Sequence, residues 1–316
     1  MIGRVPVVVG KRSKTHQDKW YIDLLNYANI QAIVKGVQGA PVWICDDTAL
    51  FNHESINDKL VEAYAFTDEN DDVLTGDHGT HIAGIQACKD YGLFPENIKF
   101  GTAKVLRSSS GTGSIPWIVA GARMGLDKGY EVFNFSIGSD SPDSDLKKMF
   151  EDICANDKRF AVCAAGNDAR ETDYPAKWCS EIMGTISVGA VEADNSFTVR
   201  MADYSSPGDV TISMPGTDIY STVPGNQYQY MSGTSMATPF VTALLSVAKG
   251  LNPAFNHQMC VDMFKKHATP VGDNVKASGY GFLNIAAFLE DIKTAAPVDT
   301  PKKVKKKSCL SRLFGR

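Results

Sequence analysis

The sequence predicts an α/β fold built around a mainly parallel sheet, and three observations lead to this expectation. Short apolar runs alternate with longer helix-like segments along most of the chain, and strands spaced by such helices form βαβ units. Polar residues follow the ends of several runs, where open α/β sheets place their sites. The length of 316 residues, 43% of them hydrophobic, suits one large α/β domain or two smaller ones.

The predicted elements follow one another in a simple order. A helix over about 16–28 comes first, and the run PVWIC (41–45) is interpreted as a buried strand ending in Asp46-Asp47. The segments that follow are, in chain order, IKFGTAKVL (98–106, strand), IPWIVAGARMGLDKG (helix), EVFNFSIG (131–138, strand), SDLKKMFEDICAND (helix), RFAVCAAGN (159–167, strand) and IMGTISVGAV (182–191, strand). Near 294 the composition turns rich in Pro and Lys, which is the one domain-like boundary.

Composition and charge exclude several classes of protein. The N-terminal stretch has only five consecutive apolar residues, too few for a secretory signal, and no run approaches the roughly 18 of a membrane span. The chain carries −4 overall, but residues 301–316 hold seven positive charges and no acid, so the body carries −11. Such a body does not suggest nucleic-acid binding, although the basic tail could contact an acidic partner. Seven cysteines without a CxxC pair indicate free thiols in a reducing, cytoplasmic compartment.

The stretch YMSGTSMATPF (230–240) precedes an apolar helix-like run. A helix is expected to begin at or near Ser235, with Pro239 tolerated in its first turn because the first N–H groups lack partners there. A serine at this point has free amides and a positive helix terminus beside it, which suits a nucleophile whose attack creates an oxyanion. Capping of the helix by Ser235 is the alternative, since serine is a favoured N-cap.

Four polar residues fall at the carboxyl ends of strands or at helix starts, and together they match the needs of acyl transfer. They are Asp47, His78, Asn167 and Ser235. A serine needs a base to become nucleophilic, a histidine can serve as that base, and a buried carboxylate holds the imidazole in the required tautomer. An amide can donate to the developing oxyanion.

In this order the residues resemble the subtilisin-family serine proteases. HGTHIAG (78–84), GTSMATP (233–239), AAGN (164–167) and DDTA (46–49) are similar to that family's motifs. The resemblance implies a subtilisin-like three-layer αβα fold with a mainly parallel central sheet, and a peptidase domain at 41–293 between an N-terminal extension (1–40) and a disordered basic tail (294–316).

The resemblance also assigns roles to individual residues. Asp47 orients His78, His78 is the general base and acid, Ser235 attacks, and Asn167 with the Ser235 amide forms the oxyanion hole. Asp47 is preferred to Asp46 because the family's acid is followed by Thr. His81 is expected to be a hydrogen-bonded structural histidine. Ala49 stands where the family has Gly, so a strained turn is expected if that position needs a positive φ.

The family binds peptide as an added strand between two edge segments. The residues expected to bind substrate here are Gly111, Thr112, Gly113, Ser136, Ile137, Gly138, Ala164, Ala165, Gly166, Asp168 and Asp173. Asp173 falls near the floor of the pocket for the residue before the scissile bond (S1), and Asp168 near its rim. This predicts a preference for Lys or Arg at that position (P1), unless both carboxylates face solvent.

Three further expectations concern metals, regulation and rival functions. No metal or cofactor is required: the family's calcium site has Ser55 in place of an aspartate and a shortened loop at 88–95, so calcium is possible but not supported, with TDENDD (67–72) as a weak candidate. By resemblance to the intracellular branch, residues 1 to about 15 either restrain activity until clipped or form a plain packed arm. The alternatives to a general endopeptidase are a non-catalytic peptide-binding homologue and a narrow processing protease.

Overall fold

The computed structural model describes residues 2–4, 8–9, 19–69 and 74–295. Residues 1, 5–7, 10–18, 70–73 and 296–316 lie outside the described residues. They include much of the arm predicted to restrain activity, the second half of the acidic TDENDD stretch and the basic tail from 296 onward. Within the described ranges, the strands are β1 Ile2–Arg4, β2 Val8–Val9, β3 Val42–Asp46, β4 Leu60–Ala65, β5 Phe100–Lys104, β6 Thr112–Gly113, β7 Val132–Phe135, β8 Ile137–Gly138, β9 Phe160–Ala164, β10 Thr185–Ala193, β11 Val199–Met201, β12 Ile212–Pro215, β13 Ile219–Val223, β14 Gln227–Ser232, β15 Ala268–Thr269 and β16 Phe282–Leu283.

The helices of the same ranges alternate with these strands. They are α1 Trp20–Leu25, α2 Tyr27–Ile33, α3 Asp77–Ala87, α4 Ile115–Asp127, α5 Ser144–Cys154, α6 Thr234–Leu251, α7 His257–His267, α8 Val275–Ser278 and α9 Ile285–Thr294, with short 3₁₀ turns at Asn57–Lys59 and Ala176–Ser180. No helix in the described ranges combines the length and the apolar character needed to cross a bilayer.

The large sheet confirms the predicted α/β class. Its strand order is β15-β16-β12-β10-β9-β7-β3-β5-β4, with β11 paired to β10. The pairs from β4 through β16 are parallel, whereas β11 and β15 add antiparallel edges. Parallel sheets are covered on both faces, and the apolar side chains accordingly divide into two clusters, one with α3 and α6 and one with α4 and α5.

Strand β3 shows how this division positions polar groups. Val42 and Ile44 belong to the cluster with α3 and α6, whereas Trp43 and Cys45 belong to the cluster with α4 and α5. Because successive side chains on a strand point to opposite faces, Asp46 lies on the face that α3 covers.

The N-terminal helix differs from its prediction. The helix expected over about 16–28 is two helices, α1 and α2, joined at Asn26, whose φ of 54° is left-handed. Asparagine is one of the few residues that adopt this conformation readily. Trp20, Tyr21 and Ile30 pack into the same core cluster as α6, so this part of the predicted N-terminal extension packs on the body. The division into extension, peptidase domain and tail stays a prediction.

Candidate active site

Helix α3 brings His78 to the end of strand β3. The His78 Nδ1 atom lies 2.8 Å from Asp46 Oδ1, and both side chains are fully buried. The Asp47 backbone N–H also donates to Asp46 Oδ1, at 2.8 Å. A carboxylate can only accept, so Nδ1 carries the hydrogen and Nε2 of the neutral ring is left as the acceptor. Nε2 is buried and has no hydrogen-bond partner among the described residues.

The prediction that Asp47 holds His78 is wrong in its geometry. The Asp47 carboxylate accepts the backbone N–H of Gly79, at 2.8 Å, so it binds the first turn of α3 instead of the imidazole. Asp46 continues the face of β3 that carries Val42 and Ile44 toward α3, whereas Asp47 lies beyond the end of the strand and its carboxylate reaches the Gly79 N–H. In the structure, Asp46 is therefore the carboxylate that contacts the His78 imidazole. Ala49 does not have a positive φ, so the expected strained turn is absent.

Gly79 of the HGTH motif allows this close approach. A Cβ atom at Gly79 would lie 2.5 Å from Thr48 Cγ2 and 3.2 Å from Asp47 Oδ1. Any side chain would push α3 away from the end of β3, and the His78–Asp46 bond would lengthen.

Ser235 is the second residue of α6, which confirms the predicted helix start. Its side chain is fully buried, and Oγ lies 3.5 Å from the Ser136 carbonyl oxygen. Helix α6 packs directly against α3, so the serine and histidine lie on adjacent helices.

Pro239 is the sixth residue of α6, beyond the first turn where it was expected. Its missing N–H would have bonded to the Ser235 carbonyl. The Ser136 hydroxyl donates to that carbonyl instead, at 3.1 Å. This bond replaces the hydrogen bond that the proline cannot donate, and it connects the first turn of α6 to the end of β7.

Asn167 is fixed by Thr234, a residue that the sequence interpretation did not select. The Thr234 backbone N–H and its hydroxyl both donate to Asn167 Oδ1, at 2.8 and 2.9 Å, and Thr234 Oγ1 accepts the Gly166 N–H at 3.1 Å. Because a backbone N–H can only donate, Oδ1 must face Thr234, and Nδ2 carries the amide donors. Thr234 precedes Ser235 directly, so the amide and the serine are held as one unit.

The two predicted edge segments lie on either side of the chain's own N-terminal strand. In β1, Ile2 pairs with Gly113 and Gly3 with Thr112, and on the other side Gly3 pairs with Gly138 and Arg4 with Ile137, all antiparallel. Ile2 is 1% exposed and packs in the cluster with α4. Farther along, Val8 pairs with Ser232 and Val9 with Met231. The described parts of the arm therefore pair with the strand that follows Ser136 and with the strand that leads into Ser235.

Three carboxylates lie near one another where the S1 pocket is predicted. Asp173 packs against Gly166, where an added Cβ would lie 2.9 Å from the Asp173 Cγ. Burial raises the pKa of Asp173 to about 6, an effect to which the negative charges of Asp140 and Asp168 add. Asp168 is exposed and pairs with Arg170 at 3.2 Å. Asp140 was missed from the sequence; it follows Ser139, which pairs antiparallel with Tyr174 and so brings Asp140 opposite Asp173.

His81 is a structural histidine, as predicted. Its Nε2 lies 3.1 and 3.0 Å from the carbonyl oxygens of Ile219 and Gln229. Burial lowers its pKa to about 3, so the ring is neutral and Nε2 donates to these carbonyls.

The residues at the family's calcium position do not form a cage of oxygen ligands. Asp90, in the shortened loop, accepts hydrogen bonds from the hydroxyls of Tyr228 (2.7 Å) and Ser55 (3.2 Å). Lys89 adds an ammonium 3.6 Å from Asp58. Calcium takes six to eight oxygen ligands, whereas of the two carboxylates here Asp90 is bonded to hydroxyls and Asp58 is paired with an ammonium. The described residues contain no cluster of three or more metal-binding side chains.

Glu69, from the acidic stretch considered as a weak calcium site, forms an ion pair with Lys104. It lies 2.8 Å from the buried ammonium of Lys104 and accepts the backbone N–H of Ser108 at 2.8 Å. Burial alone would raise the Glu69 pKa, but these bonds and that from Ser109 lower it to about 2. Lys104 also donates to the Asp47 carbonyl, at 2.9 Å. Through Lys104, Glu69 therefore stabilises the chain directly after β3, next to Asp46.

Comparison with known proteins supports one family. The profile of the subtilase family matches residues 38–282. The chain belongs to the subtilase family. This subtilase is 33% identical over 224 residues to a thermophilic serine proteinase of Bacillus sp. (strain AK1), which covers 68% of this chain but only 53% of that protein.

Two further relatives are covered more fully. Subtilisin DY of Bacillus licheniformis is 32% identical, over 84% of this chain and 96% of that protein, and an intracellular serine protease of Paenibacillus polymyxa is 30% identical, over 80% and 81%. Among solved structures, fervidolysin of Fervidobacterium pennivorans, a keratinolytic enzyme related to subtilisin, superposes with a TM-score of 0.79 at 22% identity, over 95% of this chain and 52% of that one. The last similarity concerns the fold alone.

Proposed function

We propose that this subtilase is a serine endopeptidase that hydrolyses peptide bonds through an acyl-enzyme on Ser235. The observation that carries the proposal is the buried His78–Asp46 pair, which leaves His78 Nε2 as a hydrogen-bond acceptor beside the helix of Ser235. A buried imidazole with one nitrogen bound to a carboxylate is the arrangement that a serine nucleophile needs.

The roles of the three groups follow from this arrangement. His78 Nε2 takes the Ser235 hydroxyl proton as Oγ attacks the carbonyl carbon of the substrate, and the scissile carbonyl becomes a tetrahedral oxyanion. Asp46 stabilises the imidazolium and keeps Nδ1 protonated. His78 then gives the proton to the departing amine, which leaves the acyl group on Ser235. A water molecule, activated by His78 in the same way, releases the acid and restores the serine.

The oxyanion is stabilised by donors whose positions are fixed before the reaction. Asn167 Nδ2 is one donor, because Thr234 holds Oδ1 of the same amide. The Ser235 backbone N–H is the second, since the first N–H groups of a helix have no intrahelical partner. Preorganised donors of this kind need no rearrangement when charge develops.

The test of catalysis uses a fluorophosphonate probe, which reacts with activated serines. We expect labelling of the wild type and none of Ser235→Ala, with peptide hydrolysis lost in parallel. If neither the full-length wild type nor a variant with a released N-terminal arm is labelled, the endopeptidase is refuted and the non-catalytic peptide-binding alternative is favoured.

We propose further that the enzyme prefers Lys or Arg at P1. Asp173 lies against Gly166 at the predicted pocket, and Asp140 and Asp168 add negative charge around it. A substrate cation would relieve the repulsion among these carboxylates and form a charge-assisted hydrogen bond. Cleavage of a peptide library only after large apolar residues would refute the preference. A profile restricted to one extended motif would favour the narrow processing protease.

We also propose that the N-terminal arm inhibits the enzyme. Strand β1 makes the backbone pairs with β6 and β8 that a bound peptide would make, and β2 pairs with the strand leading to Ser235. Peptides bound in this way gain affinity from main-chain hydrogen bonds. The alternative, a plain packed arm, predicts no effect of the arm on activity.

The test of inhibition places a charge in the arm. Ile2→Asp would bury a carboxylate in an apolar cluster and should release β1, raising the labelling rate by more than about tenfold. Leu50→Asp is the matched control, because Leu50 is an exposed apolar residue at 41% accessibility. Equal labelling of wild type and Ile2→Asp would refute inhibition without bearing on catalysis.

The remaining proposals concern the cellular location of the enzyme, its cofactors and its partners. An intracellular, cytoplasmic location is supported by the similarity to the Paenibacillus polymyxa protease and by the free thiols of the six cysteines in the described ranges. We propose that catalysis requires no cofactor, and activity that is unchanged by a chelator would agree with this. The substrates are proteins or peptides, and contact between the basic tail and an acidic partner stays a prediction.

A further inference from the structure

One polar side chain stands in the buried strand β7. Asn134 is fully buried, and its neighbours across the sheet are Ile44 of β3 and Val162 of β9. Val132 packs in the cluster that includes α6, so Asn134, two residues farther on, faces the same helix. An apolar side chain would suit this position, because burial of an amide is unfavourable unless its polar atoms are hydrogen-bonded. The contacts of Asn134 therefore indicate what the amide does here.

The hydrogen bonds of Asn134 run in one direction, from α6 to the nucleophile. The Ser235 carbonyl can only accept, so the Ser136 hydroxyl donates its one hydrogen there, at 3.1 Å. Ser136 Oγ must then accept from Asn134 Nδ2, at 3.1 Å. This orients the amide, and Oδ1 faces the Thr242 hydroxyl at 2.9 Å. The four residues form a continuous buried chain of hydrogen bonds.

Thr242 fixes the far end of this hydrogen-bond chain. Its hydroxyl has two acceptors in reach, Asn134 Oδ1 at 2.9 Å and the Thr238 carbonyl at 3.1 Å. The Thr238 carbonyl lies four residues earlier in α6, where it already accepts the Thr242 backbone N–H. Oδ1 needs the hydroxyl as its donor, because the sheet neighbours of Asn134 are apolar. The amide is therefore held in one orientation.

Ser136 links Asn134 both to the nucleophile and to the substrate-binding edge. Its hydroxyl binds the Ser235 carbonyl, and its own carbonyl oxygen lies 3.5 Å from Ser235 Oγ. Ser136 also directly precedes β8, one of the two edge segments expected to pair with substrate. A shift of Ser136 therefore changes the position of the nucleophile relative to the substrate. A misplacement of about 1 Å in such a geometry lowers the rate about 100-fold.

We propose that Asn134 is a positioning residue for Ser235: through Ser136 it holds the first turn of α6, and with it the nucleophile, at a fixed place beside β8. Asn134 touches neither the substrate nor the reacting atoms, and its role rests on the serine endopeptidase proposed above. Without the amide, the Ser136 hydroxyl is free to turn away from the Ser235 carbonyl. Pro239 leaves that carbonyl without a helical donor, so the turn that carries Ser235 shifts.

The experiment measures kcat and KM for a quenched peptide, per active site titrated with a fluorophosphonate. All variants are made in the full chain carrying Ile2→Asp, so that the N-terminal arm affects each of them equally. We expect Asn134→Leu to lower kcat about 10- to 100-fold. KM should stay within about twofold of the parent, because β8 binds peptide through its backbone.

Asn97→Leu is the matched control for loss of a buried amide. Asn97 lies before the start of β5, and its Nδ2 donates to the carbonyls of Val34 and Val37, at 3.0 and 2.6 Å. The control should lower the melting temperature while kcat per titrated site stays unchanged. A fall in kcat confined to Asn134→Leu therefore separates positioning from a loss of stability.

A pair of variants at Thr242 tests the same hydrogen-bond chain even if Asn134→Leu does not fold. Thr242→Val removes only the hydroxyl and should lower kcat about three- to tenfold, whereas Thr242→Ser keeps the hydroxyl and should restore the rate. Added to Asn134→Leu, Thr242→Val should have no further effect on kcat, because both substitutions act through the same amide.

Three results would overturn the positioning role. They are an unchanged kcat in Asn134→Leu, a rise in KM in place of the fall in kcat, and equal rates for Thr242→Val and Thr242→Ser. If the parent is labelled by the fluorophosphonate, each of these results leaves the endopeptidase intact. A parent that is not labelled refutes the endopeptidase, and the role of Asn134 falls with it.

Discussion

Replacing Asp173 by Asn should remove the proposed preference for basic P1 residues. The substitution keeps the size of the side chain and removes the charge that packs against Gly166. Hydrolysis of substrates with an apolar P1 residue should change little, since they gain nothing from the carboxylate. The ratio of kcat/KM for an Arg substrate to that for a Leu substrate is therefore the quantity to measure.

The size of the effect follows from the half-buried position of Asp173. Removing one partner of a buried charge pair costs about 2–5 kcal/mol, and the incomplete burial of Asp173 places its loss at the lower end of that range. A loss of about 2 kcal/mol lowers the Arg/Leu ratio about 30-fold.

The pH dependence gives an independent check. Burial, with the charges of Asp140 and Asp168, raises the Asp173 pKa to about 6, so the carboxylate becomes neutral as the pH falls through that value. Between about pH 7.5 and 5 the charged fraction falls roughly tenfold, and the wild-type Arg/Leu ratio should fall with it. Any pH dependence that the two substrates share cancels in the ratio.

The assay uses two quenched peptides that differ only at P1, at pH values from 5 to 8. Asp262→Asn, at an exposed aspartate of α7 that accepts a hydrogen bond from Gln258, is the matched control and should keep both the ratio and its pH dependence. A wild-type ratio that stays constant over this range, or an Arg preference that survives in Asp173→Asn, would refute the reasoning.

Three further predictions concern the groups behind the nucleophile. Asp46→Asn should lower kcat about 10⁴-fold, whereas Asp47→Asn should mainly lower the stability of the fold. Steady-state kinetics and melting curves measure the two effects, and a large loss of kcat in Asp47→Asn but not in Asp46→Asn would contradict the prediction. Thr234→Val should lower kcat about tenfold with KM nearly constant, because the Asn167 amide loses one of its two hydrogen bonds from Thr234. Thr234→Ser should restore the rate. A change in KM alone would contradict this prediction. The Glu69 pKa of about 2 lies below its ordinary 4.5, so the Glu69–Lys104 pair stabilises the fold above about pH 4.5 and this stability is lost as the pH falls toward 2. Glu69→Gln should lower the free energy of unfolding by about 3 kcal/mol at neutral pH, and the difference from the wild type should vanish in acid. Urea unfolding at several pH values measures both effects.

The parts of the site that depend on local patterns were predictable from the sequence. The start of α6 and the role of His81 as a structural residue follow from short motifs, because glycine, serine and helix-start patterns act within a few residues. The sheet class follows from the alternation of elements. The separation of α1 from α2 at Asn26 depends on a single left-handed residue that the apolar pattern does not reveal.

The choice between Asp46 and Asp47 required the structure. All residues of β3 before the acids are apolar, because the strand is buried on both faces. No polar alternation therefore shows which side chain faces α3, and a shift of one residue exchanges the faces. The pairing of Ile2 with Gly113 joins residues more than a hundred positions apart, and no local pattern encodes it.

The inhibition proposed for β1, which lies between β6 and β8, has a kinetic consequence. An inhibitor that belongs to the same chain as its enzyme cannot be diluted away, so the resting activity per molecule should be the same at every protein concentration. Removal of the arm by a second copy requires two molecules to meet, and its rate should rise with the square of concentration. A preparation would then show little activity during a lag, and the lag would shorten at higher protein concentration. A trace of clipped enzyme added at the start would abolish the lag.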